Sequence, residues 1–208
     1  MRPVFRLLSN ELIERIISEA RDILCNLGVE IHNDGILSML SDHGAEVDSG
    51  KKHVLFTSDI IDKALETAPD SVELYDVMGI RTHNLTDHNV YFTPGSAAIN
   101  ILDSRSGEMR KPSTADYVEY AKLMSGLDNI ASQSTAFIPA DVPEKISDSY
   151  RLFLSFMYCE KPVVTGAFTI DAFNVMKDLQ LAIRGSADAL RKKPLTIFSC
   201  CPTAPLKW

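Results

Sequence analysis

Between Ser9 and Gly28 the apolar residues recur at helical spacing. Leu12, Ile13, Ile16, Ile17, Ala20, Ile23, Leu24 and Leu27 fall along one stripe, with Ser9 or Asn10 as cap and Gly28 as stop. The same spacing, over a shorter run, predicts a second helix in "NDGILSMLSDHG". The pattern then changes period: "AEVDSGKKHVLFT" holds two alternating runs around Asp48, Ser49 and Gly50, which predicts a β-hairpin. Ser58 is positioned to cap a third helix, "DIIDKALETAP", which Pro69 halts.

From residue 72 to 103 the pattern shortens to "VELYDV", "IRTHNL", "NVYFT" and "AAINILD", separated by turn formers. Small antiparallel structure is the expectation. A turn at Ser106-Gly107 follows, and Ser113 or Thr114 with Asp116 opens the helix "ADYVEYAKLMSGL". Beyond it strand and helix alternate. Strands are predicted near 130–138, 162–168 and 193–200, and helices near 144–158 and 171–184. Strand starts about 30 residues apart match the β-α repeat, and strands apolar on both faces suit a parallel sheet covered by helices. The expected architecture is α/β, with residues 1–112 an amino-terminal helical and β extension and residues 113–208 a partial (β/α) barrel. Three parallel strands make an open sheet with an unpaired apolar edge: either the antiparallel segment shields that edge or the chain is the first part of something larger, and the apolar final strand favours the second.

Composition narrows the function classes. The 208 residues are 45% hydrophobic and 24% charged, which excludes a disordered chain. A formal charge of -7 without a basic stripe argues against nucleic-acid binding. No apolar run reaches the roughly 20 residues that span a bilayer, and Glu11 and Glu14 interrupt any signal-like start. A cytoplasmic protein is expected. Cys25, Cys159, Cys200 and Cys201 form no CxxC, and the adjacent pair is poorly placed to bridge, so free thiols are the default.

Sites in parallel α/β sheets gather at the carboxyl ends of the strands. Those ends read "FIPADVP", "TGAF" and "SCCPTAP", which nominates Phe137, Asp141, Phe168, Cys200 and Thr203 as substrate-binding residues. Each also has a plainer reading: Asp141 as a turn or helix-entry residue, the phenylalanines as packing, the thiols as small hydrophobes. The aromatic pair suits a cationic substrate, because quaternary ammonium groups bind over aromatic faces. His32, His43, His53, His83 and His88 precede the β-α region and match no zinc pattern; His83 and His88 flank a turn and are expected to be solvated. No GxGxxG or GxxxxGK[ST] occurs, and "TPGSAA" lacks the context of a phosphate cradle.

Resemblance carries the reading further. "LGVEIHND", "HGAEVD" with "KKHVLFTSDIIDKALETAP", "FTPGSAAINILDSRSGEMRKPSTADYVEYAKLMSGLDNI", "DVPEKISDSYRLFLSFMYCEKPVVTGAF" and "KPLTIFSCCPTAPLKW" occur in order along the chain. Together they resemble the amino-terminal part of the trimethylamine methyltransferase family, whose members act on trimethylamine, glycine betaine and similar quaternary amines. The resemblance implies a (β/α)8 barrel behind a helical and β extension. It implies methyl transfer from a methylated amine to the cobalt of a corrinoid (cobalamin) carried on a separate protein, so the chain itself holds no cofactor or metal. Reduced cobalt is the nucleophile in that reaction, leaving the enzyme to position the amine and exclude water.

Trimethylamine enzymes of the family use pyrrolysine, at a position beyond Trp208, and family chains are more than twice as long. The resemblance therefore transfers no catalytic residue. The expected partners are a corrinoid protein, the amine, and either further copies of the chain or a completing chain. A non-catalytic module binding a small molecule or the corrinoid protein, and a thiol- or metal-dependent hydrolase, are the competing classes.

Overall fold

The computed structural model describes residues 6–200 and 206–208, and the chain divides into two compact units: Met1–Pro69 with Cys201–Trp208, and Asp70–Cys200.

In the first unit the helical stripe forms α1, Asn10–Asp22, capped where the Ser9 hydroxyl accepts the Leu12 N–H at 3.2 Å. A π turn, Ile23–Leu27, extends it to Gly28, whose φ of 73° is left-handed. A Cβ there would lie 2.2 Å from the Val54 carbonyl oxygen, so both the backbone angle and the close approach require glycine. Three short strands, β1 (Val29–Glu30), β2 (Glu46–Asp48) and β3 (His53–Leu55), form an antiparallel sheet in the order β1-β3-β2. The predicted hairpin is its β2–β3 half.

Helices α2 (Asp34–Asp42) and α3 (Ser58–Thr67) complete the unit. The cap of α3 is Thr57 rather than Ser58: the Thr57 hydroxyl accepts the Ile60 N–H, and Ser58 is the first helical residue. Val29, Ile31, Leu37, Ala45 and Val54 make the core.

The second unit opens with the antiparallel pair β4 (Val72–Tyr75) and β5 (Arg81–Leu85), as expected. The next expectation fails. Residues 89–93, "NVYFT", form no strand; the Phe92 carbonyl instead accepts the Ala131 N–H at 3.0 Å. Ala98 pairs with Phe137 in parallel, its N–H on the Ala136 carbonyl and its carbonyl under the Ile138 N–H. Only β6 (Ile101–Leu102) is antiparallel, against β7 (Met109–Arg110), a strand the pattern did not reveal. His83, expected in solvent, is 2% exposed and packs on Tyr91 with ring centroids 4.5 Å apart.

Helix α4, Thr114–Ser125, starts at a capping box in which Ser113 and Asp116 exchange side-chain and backbone hydrogen bonds. Then the β-α alternation appears: β8 (Gln133–Ser134), α5 (Ser147–Tyr158), β9 (Val163–Thr165), α6 (Ile170–Arg184), α7 (Ala187–Lys192) and β10 (Thr196–Phe198). The three strands are parallel in the order β10-β9-β8, with Gln133 beside Val163 and Val163 beside Thr196. Leu152, Val163 and Met176, all fully buried, pack α5 and α6 onto β9.

Sequential parallel strands joined through helices are the expected α/β pattern, and the described residues close no barrel. Helix α7 was not anticipated: Gly185, with φ of 81°, stops α6, and Ser186 caps the new helix.

Candidate functional site at the strand ends

The carboxyl ends of β8, β9 and β10 lie side by side because the register is in step. Thr135, one residue past β8, meets Thr165, the last residue of β9, hydroxyl to hydroxyl at 3.1 Å. The Ser199 N–H, just past β10, donates to the Thr165 carbonyl at 2.7 Å. A Cβ on Gly166 would sit 3.4 Å from the Ser199 carbonyl, so the two loops pass in van der Waals contact.

Over these ends runs the loop from β9 to α6, and α5 holds it. The Phe168 N–H donates to the Asp148 carboxylate at 2.9 Å, and the Phe168 ring stacks on the Arg151 guanidinium, 4.8 Å from its carbon to the ring centre. Arg151 and Asp148 are each 1% exposed, whereas Phe168 is 53% exposed. Arg151 donates through Nε to the Ser147 carbonyl at 3.1 Å and through Nη1 to the Thr135 carbonyl at 2.9 Å. Burial pushes the Arg151 pKa down, and the neighbouring Tyr117 and Asp148 oppose that shift.

The five residues nominated from sequence have different surroundings. Phe168 stands exposed at the strand ends. Phe137 is buried in an aromatic cluster, edge-on to Tyr117 and Tyr120 at 5.3 and 5.5 Å. Asp141 accepts the Thr114 N–H at 2.9 Å and the Thr114 hydroxyl at 3.1 Å, so its carboxylate is tied to the start of α4. Cys200 follows β10 with an exposed, free thiol. Thr203 lies outside the described residues.

Sequence reading missed Thr135, Asp148 and Arg151, and it placed Thr165 at a strand end without nominating it. The missed signal was present in α5, where Ser147, Arg151 and Ser155 recur every four residues on the face that also buries Leu152. A polar stripe at core spacing announces a buried network. Ser155 indeed joins Tyr117 and Gln133, at 2.9 and 3.2 Å.

Hydroxyls, one guanidinium and an exposed aromatic ring suit holding and orienting a ligand more than moving protons. Among the described residues no group of three or more His, Cys, Asp or Glu could hold a metal ion, and no helix is long and apolar enough to cross a membrane.

A family model described as trimethylamine methyltransferase (MTTB) matches residues 1–208. The trimethylamine methyltransferase MttB of Desulfitobacterium hafniense is 24% identical over 199 residues, covering 96% of this chain and 40% of that protein. A glycine betaine methyltransferase from another strain of that organism is 23% identical over 207 residues, 99% of this chain and 43% of the relative. The L-carnitine:corrinoid methyltransferase of Eubacterium limosum is 29% identical over 155 residues, 73% of this chain and 31% of its own length. The chain therefore spans less than half the length of these relatives. With the match running over every residue, the chain belongs to the trimethylamine methyltransferase family.

Proposed function

We propose that this chain forms the first part of a (β/α)8 methyltransferase, and that the carboxyl ends of β8, β9 and β10 contribute to a site for a methylated amine, trimethylamine or a quaternary amine such as glycine betaine. The observation that carries the reading is the parallel order β10-β9-β8 with helical crossovers, which gathers the loops after three successive strands at one end. Family membership and the substrates in the relatives' names support the chemistry.

In this reading the methyl acceptor is the corrinoid of a separate protein, and the chain binds no cofactor of its own. Reduced cobalt supplies the nucleophile; for a quaternary amine the methyl carbon leaves nitrogen and the bonding pair stays there, releasing a neutral tertiary amine. The chain's residues hold and align. The exposed part of the Phe168 ring offers a face to a methylammonium group, and Thr135 and Thr165 order the strand ends beneath it. For a quaternary amine no proton has to move, so fixing the donor in line is the chain's main contribution; for trimethylamine the nitrogen must also gain positive charge, by protonation or activation, so that dimethylamine can leave.

The test offers a panel of methylated amines and a reduced corrinoid protein to the chain joined to the remaining segment of the glycine betaine relative. Methylation of cobalt, read from the corrinoid absorbance, is expected with at least one amine and should fall roughly tenfold in Phe168→Ala, the scale of one desolvated cation–π contact. Transfer that is absent with every amine, or unaffected by Phe168→Ala, contradicts the proposal.

A further inference from the structure

We propose that Asp148 and Arg151 are positioning residues that set the β9–α6 loop, and with it the Phe168 ring, over the strand ends. This rests on the reading of Phe168 as a ligand-contacting residue.

An exposed phenylalanine on a connecting loop would ordinarily sample many orientations, because loops carry few buried contacts. Here two anchors reach it from one helix. The Asp148 carboxylate takes the Phe168 N–H at 2.9 Å and fixes the backbone; the Arg151 guanidinium lies under the ring at 4.8 Å and fixes the side chain. Arg151 is itself held from two directions, by the Ser147 carbonyl on its own helix and by the Thr135 carbonyl at the end of β8. One guanidinium thus links a strand end, the first turn of α5 and the loop.

Two charged side chains, each 1% exposed and separated by three positions on α5, are a costly way to fill space. Apolar residues of similar volume would pack there at less desolvation cost. What the charged groups add is direction: a hydrogen bond and a stack each accept only a narrow range of loop geometries. Pre-ordering the ring removes an entropy cost that a ligand would otherwise meet on binding. Asp148 is further favoured in the first turn of α5 by the amino-terminal end of the helix dipole.

Amide hydrogen exchange on the full 208-residue chain reads the anchoring directly. Asp148→Ala should accelerate exchange at Phe168 by at least ~10-fold, the scale of one hydrogen bond to a charged acceptor. The β9 amides of Val163 to Thr165 should stay within about twofold. Asp148→Asn, which keeps a carbonyl oxygen for the Phe168 N–H, should restore most of the protection; if the alanine variant does not fold, Asp148→Leu, which has similar bulk and no acceptor, carries the comparison with the same expected acceleration. Unchanged exchange at Phe168, or equal acceleration across β9, overturns the proposal.

A tetramethylammonium titration of the same proteins separates positioning from general stability. Asp148→Ala and Phe168→Ala should each weaken binding, and Asp148→Ala should weaken it much less in a chain already carrying Phe168→Ala. Equal losses in both backgrounds would show that Asp148 does not act through Phe168 and would overturn the inference. If the wild-type chain does not bind tetramethylammonium, the amine reading of Phe168 fails, and the exchange data alone decide whether Asp148 anchors the loop.

Discussion

Asp141 receives both the N–H and the hydroxyl of Thr114, the first residue of α4. That N–H is one of the donors a helix start leaves unpaired, so Asp141→Ala should lower the melting temperature by a few degrees. Asp141→Asn, which keeps one acceptor oxygen, should lose less in the same thermal melt. Acid titration should reveal three further residues, His83, Asp103 and Asp116. His83 is buried beside Tyr91, and desolvation holds its pKa below the usual 6.5. Its neutral form is therefore favoured in the fold, so stability is complete above about pH 6.5 and falls as pH drops below it.

Asp103 is held down to about 2 by the Arg110 guanidinium, and Asp116 is lowered by the same group. Their contribution is present above about pH 4, the unfolded carboxylate range, and is lost toward pH 2. Denaturant midpoints measured from pH 8 to 2 should show both losses. His83→Gln should remove the first and Arg110→Met the second. Of these pairs only Asp141 and Thr114, 27 positions apart, are distant in sequence. Periodicity cannot report a contact between residues 114 and 141, which explains why Asp141 read equally well as a turn or a site residue.

At the level of elements, several boundaries that one residue decides were legible, although the Thr57 cap of α3 and the Gly185 stop of α6 were not. The Ser9 cap, the capping box at Ser113 and the glycine stop at residue 28 all follow from short side chains or from a left-handed backbone angle. Signals that depend on a distant partner were not. "NVYFT" has strand composition, yet its partner is the stretch before β8, and the result is an extended segment rather than a hairpin. Helix α7 is short, and its six residues carry no full apolar period.

Two substitutions test the elements. Ser113→Ala should cost about 1 kcal/mol in chemical denaturation, the usual value of a helix cap. Leu152→Ala should cost about 2–5 kcal/mol, because the fully buried side chain joins α5 to β9 and its removal leaves a cavity.

On the scale of the whole molecule, the α/β class and the crossover order could be read from the repeat of about 30 residues, whereas the partners of the buried Asp148 and Arg151, on the loop after β9 and at the end of β8, needed the three-dimensional register to become visible. Among the described residues no strand besides β9 pairs with β10, although the Tyr75 N–H reaches the Pro194 carbonyl just before it. The purified chain should therefore associate with increasing concentration, seen by sedimentation; a strictly monomeric chain at micromolar concentration would contradict this. The central claim is that the strand ends receive a methylated amine, and a residue-resolved NMR titration of the chain with glycine betaine tests it most directly. Chemical-shift changes concentrated at Thr135, Gly166–Thr169 and Ser199 are the predicted result; no saturable change there, or changes confined to the amino-terminal unit, would contradict it.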